Sequence, residues 1–302
     1  MSELLQGLTN GLADVVEAVG ASLVRVDARK RVPATGIVWS ADGLIVTSHH
    51  VVQRDDNITV GLADGQTVAA TLVGRDPTTD LAVLRVKAEG LTVPTWADYS
   101  GSTVRVGNLV LALGRPEKQV QAALGMITVL EDSWRTSGGG QIDRYLQADV
   151  VMYPGFSGGA LVSLTGQILG LNTSALVQGS GVTIPTATVK RVTEMLVTYG
   201  HVQRGYLGIS IQTVRLPDRL STQSGYKTGL MLVEVEENSP AAKGGLTLGD
   251  TVIALGNEPM RNYNDLLAFL NGTPIGTNVV AKALRGGEVK EFTVTVEAKS
   301  EK

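Results

Sequence analysis

The sequence predicts a mainly β protein: two six-stranded barrels followed by a smaller C-terminal α+β domain. Three observations lead there. Short runs rich in Val, Ile and Leu, separated by Gly or Asp turns, recur at 22–26, 36–39, 44–47, 58–62, 67–73 and 81–86, the spacing of a strand-after-strand barrel. A second set of the same kind lies at 109–113, 119–129, 145–148, 161–162, 168–173 and 182–185. From 206 onward the pattern starts afresh, with strands at 231–235, 251–255, 278–284 and 291–296 around a helix at 263–270 opened by Asn262.

Ahead of the first barrel, Leu4, Leu5, Leu8, Leu12, Val15, Val16 and Val19 fall close to helical spacing, so 2–19 is expected to be an amphipathic helix despite Gly7 and Gly11. Within the second barrel, 131–143 carries Ser137-Gly138-Gly139-Gly140 and reads as a pliable polar loop. Apolar spacing over 189–196 predicts a helix that closes this unit against its core. The expected division is a helical segment 1–20, the double barrel 21–199, a linker 200–205 and the last domain 206–302.

Composition narrows the chemistry. At 302 residues and 43% apolar content the chain can bury a core in each unit. Its 26 basic and 29 acidic residues leave a formal charge of −3, and the one basic cluster is Arg29-Lys30-Arg31, which argues against nucleic acid as a partner. With no cysteine and three histidines, cysteine nucleophiles, thiolate zinc and histidine-based metal sites are not expected, and no cofactor is required. The start lacks a secretory signal and no run reaches the ~20 apolar residues of a spanning helix. The expectation is a chain with no transmembrane segment, cytoplasmic as given, or periplasmic if it is a trimmed form.

The stretch Pro154-Gly155-Phe156-Ser157-Gly158-Gly159 places a serine among three glycines between strand-forming runs. Glycine there lets the backbone turn sharply and present N–H groups to an oxyanion, as a nucleophilic serine requires. Gly155-x-Ser157-x-Gly159 also fits a nucleophile elbow, but an elbow is followed by a helix and a later histidine. Here 160–171 reads as a hairpin, and the one downstream histidine, His201, sits in a connector. The base must then come from His49-His50, after the strand 44–47. Asp80, at the mouth of the apolar strand 81–86, is the candidate acid, because a carboxylate so placed needs a donor such as an imidazole N–H. The resulting order, His, Asp, Ser, is that of chymotrypsin-like double barrels.

At this point a family emerges. Thr47-Ser48-His49-His50-Val51-Val52, Asp76-Pro77-Thr78-Thr79-Asp80-Leu81-Ala82 and Gly155-Phe156-Ser157-Gly158-Gly159-Ala160-Leu161 resemble the three active-site blocks of the HtrA (Deg) serine proteases. Gly205-Tyr206-Leu207-Gly208-Ile209, with Ser239-Pro240-Ala241-Ala242 and Leu248-Gly249-Asp250, resembles a PDZ domain, which follows the protease in that family. The resemblance implies His50, Asp80 and Ser157 as the catalytic residues, His50 being the histidine directly before Val-Val. It implies an oxyanion hole at Gly155, Phe156 and Ser157, a substrate pocket at Val151, Met152, Asn172 and Thr173, and peptide binding at Tyr206, Leu207, Gly208 and Ile209. It further implies an ATP-independent endopeptidase of protein quality control, acting on unfolded proteins and regulated by C-terminal peptides at the PDZ groove. A trimer or a multiple of it is implied as well, with 131–143 as the regulatory loop and 178–181 bordering the pocket. Where the family has Asn residues, this chain has Tyr153 and Phe156, and bulky aromatics beside the hole are expected to change how readily it orders. The competing reading is a peptide-binding chaperone whose oxyanion hole is poorly ordered.

Overall fold

A computed structural model describes residues 2–98 and 104–298; the expected domain ends at 1 and 299–302 lie outside them. Contacts divide the chain into one unit up to Val202 and another from Gln203.

The first unit contains two closed six-stranded barrels, as the strand spacing predicts. The first is made of Leu23–Asp27, Ala34–Val38, Leu44–Ser48, Ile58–Gly61, Thr67–Asp76 and Leu81–Val86. Leu109–Gly114, Gln121–Glu131, Tyr145–Ala148, Ala160–Ser163, Ile168–Val177 and Ser180–Pro185 make the second. Every neighbouring pair inside the barrels is antiparallel, and each barrel closes on itself, leaving no free edge. Ala34–Val38 and Leu44–Ser48 are buried at all five positions. They therefore lack the alternation of a strand with one wet face, and their polar members, Thr35, Thr47 and Ser48, are buried with the rest. Val24, Val26, Ile45, Ile58, Val60 and Leu84 pack inside the first barrel, and each such side chain contributes roughly 1.5–3 kcal/mol by leaving water.

The N-terminal helix spans Ser2–Gly20, and its C-terminal half, with Leu12, Val15, Val16 and Val19, packs against the core that joins the barrels. Thr186–Tyr199 forms the closing helix and buries Val189, Val192 and Leu196 in that same core. Its end is set by Gly200, which takes a left-handed conformation at φ 77°. The loop expected over 131–143 holds a small hairpin, Trp134–Arg135 against Gln141–Ile142, and Thr136 Oγ1 donates to Thr78 O at 2.7 Å, tying it to the turn that precedes Asp80.

The second unit is a sheet in the order Ile209–Arg215, Thr228–Val235, Thr251–Leu255, Asn278–Arg285, Glu288–Thr295. Gly205–Tyr206 pairs separately with Glu297–Ala298. Asn262 caps the helix Tyr263–Gly272 by accepting from the N–H groups of Asn264 and Asp265. Leu207, Leu230, Val252, Leu266 and Val294 form its core. Buried Asp250 is held by the Arg285 guanidinium at 2.6 Å. Among the described residues, no helix is long and apolar enough to cross a membrane.

Candidate active site

His50 and Asp80 meet because their strands are neighbours. Leu44–Ser48 pairs antiparallel with Leu81–Val86, setting Ser48 opposite Leu81. The residues just beyond that pair, in a 3-10 turn at His49–Val51 and at Asp80, are thereby brought together. His49 N–H donates to Asp80 O at 3.0 Å, and Asp80 itself takes the left-handed conformation at φ 55°, one that Asp tolerates better than most side chains.

The Asp80 carboxylate is 3% exposed and accepts from His50 N–H at 2.8 Å through Oδ1. Its Oδ2 accepts from His50 Nδ1 at 2.8 Å and from Thr173 Oγ1 at 2.5 Å. A carboxylate can only accept, so Nδ1 carries a hydrogen, and in the neutral imidazole Nε2 is then the atom with the lone pair, the tautomer of a general base. The imidazole is 28% exposed, which keeps its outer edge accessible. Neighbouring His49 is half-buried, and that burial, outweighing the attraction of Asp80, pushes its imidazole below the usual histidine range. Its Nδ1 has no partner among the described residues.

Ser157 stands at the entrance of Ala160–Ser163 in the second barrel. The turn before it is closed by Phe156 N–H to Tyr153 O at 3.0 Å, with Pro154 second and Gly155 third at φ 90°. That is a type II turn, in which the third residue must be glycine or nearly so. Gly158 is fixed for a different reason as well: at φ 83°, a Cβ there would come within 2.0 Å of Thr35 O. The turn is tied to the strand Ile168–Val177 by Gly158 N–H to Asn172 O and Asn172 N–H to Gly159 O, each 2.8 Å. The N–H groups of Gly155 and Ser157 have no acceptor among the described residues, whereas that of Phe156 is committed to Tyr153.

Phe156 does not crowd the hole. Its ring is fully buried in the second barrel with Ala112, Leu161 and Leu169, and it fits because residue 114 is glycine: a Cβ there would lie 2.7 Å from the ring. Tyr153, about half exposed, meets it edge to face at 5.4 Å between centroids.

The Ser157 hydroxyl is hydrogen-bonded to the Ser174 hydroxyl at 3.2 Å, its one side-chain hydrogen bond among the described residues. Of the residues expected at the pocket, Val151 is 56% exposed and Met152 packs against the second-barrel core, its side chain over Gly181. Asn172 is buried, with Oδ1 accepting from Thr183 Oγ1 at 2.8 Å and Nδ2 without a partner among the described residues. Thr173 spends its hydroxyl on Asp80. Sequence reasoning does not single out Ser174, nor Thr35, a polar residue in an otherwise apolar strand. A buried hydroxyl needs a partner, which is the one signal that marks Thr35.

In the second unit, Tyr206, Leu207 and Gly208 lead into Ile209–Arg215, the edge strand of the sheet. Gly208 O accepts from Glu236 N–H and Leu207 O from Ala241 N–H, each at 2.9 Å, while the Leu207 and Gly208 N–H groups have no acceptor among the described residues. Such a loop beside an open strand edge suits capture of a peptide carboxylate. The Tyr206 phenol donates to Glu236 Oε2 at 2.5 Å, and this bond, with the adjacent negative charge, pushes its pKa up to about 12.

Comparison with known proteins agrees with both units. Residues 34–171 match the trypsin-like peptidase domain family and 205–296 the PDZ domain family. The chain is 34% identical over 286 residues to a probable periplasmic serine endoprotease DegP-like of Chlamydia trachomatis, covering 90% of this chain and 55% of that protein. A protein of the same description from Brucella suis is 32% identical over 271 residues, covering 87% and 52%. The chain thus spans about half the length of these curated relatives. Among solved structures, the HtrA-type protease AlgW with a decapeptide superposes with a TM-score of 0.75 at 26% identity, covering 96% of this chain and 99% of that one. The serine endoprotease from Yersinia pestis gives 0.73 at 29% identity, covering 95% and 98%.

Proposed function

The chain belongs to the HtrA family of serine proteases, and from that premise we propose that it is a serine endopeptidase that cleaves unfolded or misfolded proteins without ATP. The observation that carries this reading is the buried Asp80 carboxylate holding His50 through Nδ1 at 2.8 Å, in the unit whose second barrel presents Ser157 after a turn with two unengaged amides.

The reaction proceeds through an acyl-enzyme. His50 Nε2 takes the Ser157 hydroxyl proton as Oγ attacks the scissile carbonyl. The N–H groups of Gly155 and Ser157 stabilise the resulting oxyanion, and Asp80 stabilises the imidazolium. His50 then gives the proton to the leaving amine, and water, activated by the same imidazole, hydrolyses the ester. A shift of the Ser157 hydroxyl from Ser174 toward His50 precedes attack. Cleavage follows small or medium aliphatic residues, since Val151 and Met152 give the pocket an apolar wall; a strong preference for Arg or Lys contradicts this. C-terminal peptides bind at Tyr206, Leu207, Gly208 and Ile209 and regulate the protease. The chain works as a homo-oligomer, a trimer or a multiple of it, to which the N-terminal helix, with Leu5 and Leu8 59% and 49% exposed, contributes.

One observation favours a second reading, a peptide-binding chaperone with an idle centre: Ser157 Oγ is bonded to Ser174. Unfolded casein, with and without an activating C-terminal peptide, separates the two. Cleavage that disappears in Ser157→Ala while client binding persists is the expected result; casein bound but never cut, in either condition, supports the chaperone.

A further inference from the structure

We propose that Thr35, in the first barrel, is a positioning residue for the oxyanion-binding turn of the second. The inference rests on the peptidase reading and adds to it the group that holds the two oxyanion donors in register.

Thr35 is fully buried in Ala34–Val38, and every polar atom it has is used. Its N–H donates to Ser157 O at 3.2 Å. Its hydroxyl donates to Gly155 O at 2.7 Å and accepts from Arg115 N–H at 2.8 Å. Its carbonyl accepts from Thr47 Oγ1 at 2.7 Å. The direction of the hydroxyl bond is settled by chemistry: an amide N–H only donates and a carbonyl only accepts, so the hydroxyl hydrogen goes to Gly155 O.

The two carbonyls that Thr35 grips belong to Gly155 and Ser157, whose own N–H groups are the unengaged donors. A peptide group is planar. Holding Gly155 O on one side, while Phe156 N–H on the other side of the same plane is held by Tyr153 O, fixes the orientation of the plane between the donors. Tethering Ser157 O fixes the far end. One side chain and its own backbone N–H thus set the spacing and angle of the pair, and the Arg115 amide fixes the hydroxyl rotor that does so.

Replacing threonine by isosteric valine leaves the backbone tether to Ser157 O and removes the hydroxyl bond to Gly155 O. Removing an oxyanion donor outright costs about 10²–10³ in kcat, so loosening one is expected to cost about 10- to 100-fold, with KM changed less than about twofold. Thr35→Ser restores the hydroxyl and is expected to recover activity to within about threefold.

The test measures kcat and KM on labelled unfolded casein, and the rate of Ser157 modification by a fluorophosphonate, for the wild type, Thr35→Val and Thr35→Ser, normalised to folded protein. A slowed kcat and slowed modification in Thr35→Val, recovered in Thr35→Ser, supports the proposal. An unchanged rate per folded molecule in Thr35→Val overturns it, as does a loss that serine fails to recover. If Thr35→Val does not fold, Thr35→Ala carries the same expectation, and failure of both to fold assigns Thr35 a purely structural role. A wild-type chain that neither cleaves nor reacts sinks the peptidase reading instead.

Discussion

The base and the nucleophile of the candidate site are held in different ways. Asp80 accepts three hydrogen bonds, two from His50 and one from Thr173, so the acid and base are fixed by side-chain chemistry. Ser157 is fixed through its backbone: by Thr35 N–H to its carbonyl, by Gly158 and Asn172, and by the buried ring of Phe156 one residue earlier. Among the described residues its hydroxyl keeps a single bond, to exposed Ser174. The imidazole thus has one competent orientation, while the serine hydroxyl has a second partner to leave before it can react. The base half depends on charge and tautomer and the nucleophile half on packing, so they should fail differently when perturbed.

Asp80→Asn attacks the base half and carries the largest expected effect. An amide at this position can donate to Nδ1 and so favour the wrong tautomer, and kcat on casein should fall by about 10⁴ with folding retained. A loss under tenfold would mean that His50 does not depend on Asp80. Phe156→Ala attacks the nucleophile half and should act first on stability. Truncating a fully buried aromatic ring costs about 3–5 kcal/mol, to be read from the urea midpoint, and a neutral result would show that the ring does not anchor the turn. Thr173→Val is the mildest: one donor of three is lost from Asp80, and kcat should fall about tenfold. If it matched Asp80→Asn, Thr173 and not His50 would be the carboxylate's decisive partner.

The same contrast explains what can be read from the sequence. Histidine is scarce, Asp80 stands before a wholly apolar strand, and the glycines flanking Ser157 answer to backbone demands that leave a trace in residue type. The two barrels are legible from short Val/Ile/Leu runs and turns. Strand ends are less so: runs expected over 67–73 and 119–129 are strands Thr67–Asp76 and Gln121–Glu131, because barrel pairing continues across residues of either polarity. Phe156 looks like an obstacle in the sequence because adjacency to Ser157 says nothing of direction, and its place in the core depends on Gly114, far away along the chain. Thr173 reads as a pocket wall, although its hydroxyl crosses to Asp80. Such pairings between barrels span many residues and leave no periodic signal.

The most direct test of the central claim is to react the purified chain with a fluorophosphonate and map the adduct by peptide mass spectrometry. The expected result is a single adduct on Ser157, lost in His50→Ala. A folded chain that remains unmodified, or is modified at another residue, would contradict it.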